Sequence, residues 1–186
     1  IPGVTAGIAA LATAGIPVTH RDHASSVTFV TGHEQPGKTD SALDYPALAR
    51  LAARGGTLCW YMAVGRLKAI VDELLAHELP PDTPAAAVQW GTTPRQRTVR
   101  AEIRDLPDRV RHARLEAPAI VAIGPVAGLH DPGLNYFTRR PLFGSRIAIT
   151  RTRDQASRLR QLLEARGADV LEIPTIQLIP PDDWKP

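Results

Sequence analysis

The chain is 186 residues long, 44% hydrophobic and 22% charged, with a net charge of +3. That is the composition of a globular protein with room for one ordinary domain and a piece of another. No apolar run approaches the ~18 residues of a membrane span, and the single cysteine, Cys59, excludes an intrachain disulfide and suits a reducing cytoplasm. Ile1 opens neither a signal nor a transit peptide, and the chain is expected to begin inside a longer protein.

In chain order, Pro2-Gly3 opens a turn and Thr5 is placed to cap an alanine-rich helix over residues 6–14, which Gly15 stops. Residues 25–31 alternate Val27 and Phe29 with polar neighbours and read as a strand. Residues 34–44, with Pro36 and Gly37, read as a loop, and residues 46–54 as a short helix. Gly55-Gly56 precedes an apolar strand over 57–64, and an amphipathic helix over 67–77 carries Leu67, Ile70, Val71, Leu74 and Leu75 on one face. Pro80-Pro81 ends it. Strands follow at 84–90 and 97–104, then a helix over 106–113, a wholly apolar strand over 119–124 and a loop over 128–137. This alternation predicts an α/β domain with a substantially buried sheet.

Residues 1–138 are expected to form that domain and 139–144 a linker. Residues 145–186 then read as a strand over 146–150, a helix over 154–166 stopped by Gly167, and a strand over 170–173. Two strands and a helix cannot enclose a core, so a truncated βαβ unit of a second α/β domain is expected here.

The stretch Gln89-Trp90-Gly91-Thr92-Thr93-Pro94-Arg95-Gln96-Arg97-Thr98 breaks a buried strand with a glycine and two hydroxyls. In open α/β sheets ligands bind beyond the carboxyl ends of strands, and glycine admits a close backbone approach. On spacing alone the plainer reading, a strand and turn with a charged tail, is preferred. Trp90-Gly91-Thr92-Thr93-Pro94-Arg95-Gln96-Arg97-Thr98 resembles the late signature of the uroporphyrinogen-III C-methyltransferases, tetrapyrrole methylases that use S-adenosylmethionine. Four further stretches agree in order: Pro2-Gly3-Val4-Thr5-Ala6; Ala14-Gly15-Ile16-Pro17-Val18-Thr19-His20-Arg21; Ser26-Val27-Thr28-Phe29-Val30-Thr31-Gly32-His33; and Trp60-Tyr61-Met62-Ala63-Val64. The tail from Gly144 resembles, over a shorter span, the start of a uroporphyrinogen-III synthase.

The resemblance implies the C-terminal half of a tetrapyrrole methylase domain joined to the beginning of a synthase. The family's opening glycine-rich loop and acidic segment have no counterpart here, so the chain alone is expected to be inactive. The implied reaction is methylation of uroporphyrinogen III to precorrin-2, on the route to sirohaem and cobalamin, by a cytoplasmic homodimer. Its small-molecule partner is a tetrapyrrole, and neither nucleic acid nor a membrane is involved. Alternatives are another acceptor within the same family, or a non-catalytic dimerisation fragment.

By position in the motifs, S-adenosylmethionine, and S-adenosylhomocysteine as product, would contact Thr5, Ala6, Met62, Gly91 and Thr92. Gln89 stands where the family usually has Glu, and Ala63 where it usually has Gly. A side chain at Gly91 is expected to take ligand space, lowering cofactor affinity more than stability. Methyl transfer needs positioning more than acid–base groups, so no catalytic residue is assigned.

His20, Asp22 and His23 lie in a turn with no third ligand group near in sequence; no metal is assigned, and they read as shaping the tetrapyrrole cleft. Residues 95–114 hold seven arginines, either a solvated face or an attractor for substrate carboxylates. Aromatics are not interleaved with this run, which argues against nucleic acid, and no P-loop-type glycine loop occurs.

Overall fold

The computed structural model describes residues 3–32, 42–129, 133–151 and 153–175. Pro2, His33, most of the loop expected over 34–44 and residues 176–186 lie outside the described residues. The chain divides into two compact units, Ile1–Thr92 with Gln96–Phe137, and Thr93–Arg95 with Thr138–Pro186.

The first unit carries helices α1 (Ala6–Thr13), α2 (Tyr45–Ala53), α3 (Leu67–Ala76) and α4 (Leu106–His112), and strands β1 (Val27–Thr31), β2 (Thr57–Tyr61), β3 (Pro84–Gln89), β4 (Arg97–Glu102) and β5 (Ala119–Ile123). The sheet order is β1-β2-β5-β3-β4. β1 and β2 run parallel, whereas β5 is antiparallel to both β2 and β3, and β4 is antiparallel to β3. The sheet is therefore mixed: β1, β2 and β3 point one way, β4 and β5 the other. The α/β class expected from the alternation is the class observed.

Side-chain alternation divides the core between the two faces of the sheet. Leu58 and Trp60 of β2, Ala85 and Ala87 of β3, and Val121 and Ile123 of β5 pack with Ile70, Val71 and Leu74 of α3 and with Leu106 and Val110 of α4. On the other face Cys59, Ala86, Val88, Ile120 and Ala122 pack against Ala10 and Leu11 of α1. Alanines dominate β3, and short side chains let helices lie close on both sides.

All four helices end in the same way. The residue after the C-cap turns left-handed, and the next N–H reaches back five residues, the Schellman arrangement that satisfies orphan carbonyls. Gly15 (φ 70°) and Gly55 (φ 91°) do this for α1 and α2, followed by Ile16 N–H to Leu11 O at 2.9 Å and Gly56 N–H to Leu51 O at 2.8 Å. Glu78 (φ 66°) and Arg114 (φ 50°) do it for α3 and α4, followed by Leu79 N–H to Leu74 O and Leu115 N–H to Val110 O, both at 3.1 Å. Thus α3 stops before Pro80-Pro81 is reached.

At the helix starts, Asp44 caps α2 by accepting the Ala47 N–H at 2.9 Å. Thr5, expected as a cap, is extended (φ −64°, ψ 140°), and its side chain makes no capping bond. Only its backbone carbonyl engages the helix, accepting from Ile8 and Ala9 at 3.0 Å each.

In the second unit, β6 (Arg146–Ile149) and β7 (Asp169–Glu172) pair in parallel around α5 (Arg153–Ala165). Gly167 (φ 96°) ends α5, with Ala168 N–H on Leu163 O at 3.1 Å. Arg146 Nε binds Asp169 Oδ2 at 2.8 Å across the strand pair. Residues 138–145, expected to be mostly linker, form successive turns, and Leu142 N–H donates to Arg166 O at 2.9 Å. Leu162, Leu171 and Ile173 remain exposed. Among the described residues no helix is long and apolar enough to cross a membrane.

Candidate functional site

Five described residues other than glycine have positive φ, and the helix ends account for Glu78 and Arg114. The other three are Met62 (52°), Trp90 (50°) and Thr92 (68°). They share one edge of the sheet, because Met62 follows β2 while Trp90 and Thr92 follow β3, and these strands point the same way. A left-handed residue with a side chain costs ~1–2 kcal/mol, and such strain gathers where a structure is held for a ligand. The turn at Met62 is also why β2 ends at Tyr61 rather than continuing to residue 64. Beyond it Val64–Arg66 forms a 3₁₀ turn.

Across this edge stand the ends of β1, β2 and β3 and the starts of β5 and β4. The Trp90 N–H donates to Pro118 O at 3.1 Å, which holds the β3 end to the start of β5. Buried Gln89 donates its side-chain amide to Glu116 O at 3.0 Å. That bond uses a proton that the glutamate expected from the resemblance would lack when ionised. Ala63 is fully buried with φ −91°, an ordinary conformation, so alanine in place of glycine costs no backbone strain there. The close packing is taken up by Gly32, where a Cβ would meet Ala63 Cα at 2.8 Å.

α1 lies over the same edge. Thr5 and Ala6 are exposed at its start, where the Thr5 hydroxyl bonds the Tyr61 hydroxyl and the Gly7 N–H donates to Tyr61 Oη at 2.7 Å. Met62, next in the chain, is 63% exposed. Gly91 meets the middle of the helix: a Cβ there would stand 2.3 Å from Ala10 Cβ and 2.7 Å from Ala10 Cα. Thr92 meets its end, donating its N–H to Gln96 Oε1 at 3.0 Å and to Thr13 Oγ1 at 3.3 Å. Buried Gln96 completes the link, accepting from the Thr13 hydroxyl at 2.7 Å and donating to Thr13 O at 3.1 Å.

The five expected contacts thus fall into two groups, Thr5, Ala6 and Met62 in one and Gly91 and Thr92 in the other, with α1 spanning both. Met62 and Gly91 are two strand spacings apart, ~10 Å, because β5 lies between β2 and β3. The expectation that a side chain at Gly91 takes ligand space at little cost in stability is corrected: its missing side chain is already required by α1. The roles of Tyr61 and Gln96 escape sequence reading, since their partners lie 54 and 83 residues away. Strand alternation does put Tyr61 on the Cys59 face, and that is the one local signal for it.

Two further expectations change. The Asp22 N–H donates to His20 Nδ1 at 3.2 Å and the His20 and His23 rings are 4.8 Å apart. This turn precedes β1, and the His23 carbonyl lies against Gly55 at the start of β2. It sits at the edge of the sheet opposite Met62 and Gly91. Among the described residues no group of three or more His, Cys, Asp or Glu side chains converges as a metal site.

Nor do the arginines form one basic face. Arg97 and Arg100 point to opposite sides of β4, Arg97 to Ala113 O and Arg100 to Ala14 O, Ala127 O and Leu129 O, the last three at 2.8 Å. Burial lowers the pKa of the Arg100 guanidinium from its usual value, and three of its five N–H donors are taken by backbone carbonyls.

Residues 1–107 match the family model of the tetrapyrrole (corrin/porphyrin) methylases. The chain belongs to that family. It is 35% identical over 180 residues to the porphyrin biosynthesis protein HemD of Ruminiclostridium josui, covering 97% of this chain and 35% of that one. It is 43% identical over 131 residues to the S-adenosyl-L-methionine-dependent uroporphyrinogen III methyltransferase of Methanosarcina barkeri, covering 70% of this chain and 50% of that one. Among solved structures, the uroporphyrin-III C-methyl transferase of Thermus thermophilus complexed with S-adenyl homocysteine matches with a TM-score of 0.55 and 30% identity, covering 69% of this chain and 50% of that one. This methylase chain therefore spans about a third to a half of the length of these relatives.

Proposed function

We propose that this methylase chain is part of an S-adenosylmethionine-dependent enzyme that C-methylates uroporphyrinogen III to precorrin-2, on the route to sirohaem and cobalamin. In this reading residues 1–138 are the C-terminal half of the methylase domain, 139–144 the junction, and 145–186 the beginning of a uroporphyrinogen-III synthase-like domain. The likeness to the Ruminiclostridium josui protein, which runs through both units, supports that arrangement. The observation that carries the reading is the strained edge: Met62, Trp90 and Thr92 are all left-handed beside α1, at motif positions of the family.

Thr5, Ala6, Met62, Gly91 and Thr92 would hold the cofactor. The set fits it: a hydroxyl, a thioether and backbone groups, with no charged side chain, suit a nucleoside bearing hydroxyls and a sulfonium better than a phosphate. When bound, the sulfonium supplies an electrophilic methyl group and leaves as a neutral thioether. The chain's own contribution is to orient: α1 fixes the spacing of the two groups of contacts. The reading also includes a homodimer in the cytoplasm, for which the single buried free cysteine suits a reducing compartment.

The test is a titration of the ¹⁵N-labelled chain with S-adenosylhomocysteine, followed by amide chemical shifts. Saturable shifts are expected at Thr5, Ala6, Met62, Gly91 and Thr92. A titration that leaves all five unmoved rules the assignment out. Incubated with S-adenosylmethionine and uroporphyrinogen III, residues 1–186 alone are expected to form no precorrin-2 chromophore, because the family's glycine-rich loop is not among them.

A further inference from the structure

Tyr61 sits between two expected cofactor contacts, Met62 beside it in the chain and Thr5 against its hydroxyl. At the start of α1 the Gly7 N–H is one of the donors that a cap side chain normally satisfies. Here the Tyr61 hydroxyl accepts it at 2.7 Å, and the Thr5 side chain makes no capping bond. Gly7 makes this possible, since a Cβ at that position would lie 2.6 Å from Tyr61 Oη. Having accepted from Gly7, the phenol has one proton left, and the adjacent acceptor is Thr5 Oγ1. A phenol is the stronger donor of the two hydroxyls. With Tyr61 donating to Thr5, the proton of the exposed Thr5 hydroxyl points away from both the helix and the ring.

We propose that Tyr61 is a positioning residue: it replaces Thr5 as the cap of α1, locks the helix start to the Met62 corner, and frees the Thr5 hydroxyl to donate to the cofactor. The inference rests on the assignment of Thr5, Ala6 and Met62 as cofactor contacts. It adds a residue that touches no ligand and acts through Thr5.

The test uses the full chain and S-adenosylhomocysteine, with affinity read from amide shifts. Tyr61→Phe keeps the ring and removes only the hydroxyl. It is expected to retain a dispersed spectrum and to weaken binding about tenfold, the scale of one lost hydrogen bond. Thr5→Ala, at an exposed residue, should weaken binding by a similar factor. The double variant should bind no more weakly than Thr5→Ala alone, because both changes remove one shared device.

A purely structural role for Tyr61 would instead reduce the folded fraction at unchanged affinity, or add its loss to that of Thr5→Ala. Either result overturns the proposal. So does parental affinity in Thr5→Ala, a measurement that stands even if Tyr61→Phe does not fold. A parent chain whose Thr5, Ala6 and Met62 amides do not respond removes the cofactor assignment, and this inference falls with it. Parental binding together with an unaffected Tyr61→Phe removes the inference alone.

Discussion

At the scale of single residues, the site depends on missing atoms. Gly91 has no positive φ to explain it; its reason is Ala10, which a Cβ would approach to 2.3 Å. Gly91→Val should therefore destabilise the free protein by about 1–3 kcal/mol, the cost of overpacking a filled contact. Chemical denaturation without ligand measures it, and an unchanged midpoint would mean that α1 moves aside freely. Cys59 lies on the same face, and burial pushes its thiol from 9.0 up to about 12. The folded value is above the unfolded one, so the folded state keeps a proton that the unfolded chain loses. Stability from this group is thus complete below pH 9.0 and declines as pH rises toward about 12, by about 1.4 kcal/mol per pH unit. Denaturation midpoints of the parent and Cys59→Ala, compared across that window, should converge as pH rises. Parallel curves would show that the thiol ionises equally in both states.

At the scale of elements, α1 is seated by groups distant in sequence. Its end is tied by Gln96, whose amide serves the Thr92 N–H, the Thr13 hydroxyl and Thr13 O. Gln96→Ala leaves buried partners unsatisfied and should cost about 1–3 kcal/mol, with amide exchange speeding up first in α1 and at Thr92. Exchange that changes uniformly across the sheet would contradict a local tie. Glycine marked the helix ends at Gly15 and Gly167, and the ends of the helices expected over 67–77 and 106–113 were placed within a residue without one. Glu78 and Arg114 adopt the same left-handed turn, but their side chains give no sign of it. Thr5 misleads for a related reason: its type and place are those of a cap, and the Gly7 N–H is taken instead by a tyrosine at the end of β2.

At the scale of the whole molecule, alternation of strand and helix was enough to read the α/β class. It was not enough to read strand direction. β5 is antiparallel to its neighbours on both sides, yet its run Ala-Ile-Val-Ala-Ile is apolar on both faces and carries no directional mark. The direction matters, because with β1, β2 and β3 pointing one way the motifs at Gly32, Met62 and Gly91 reach one edge. The motifs were legible singly by resemblance; their convergence is a property of topology. The turn at His20 shows the converse, a polar cluster close in sequence to the motifs and at the far edge in space.

Gly7 has a practical consequence for anyone seeking a hardier variant. Replacing glycine inside a helix with alanine is a routine stabilising change, worth about 1 kcal/mol in propensity. In α1 the rule inverts, because the added methyl would land 2.6–2.8 Å from the Tyr61 hydroxyl, the Cys59 sulfur and the Phe29 ring. A selected library should consequently show a striped tolerance along this one helix: free variation at exposed Ile8 and Ala12, and almost none at Gly7 and Ala10.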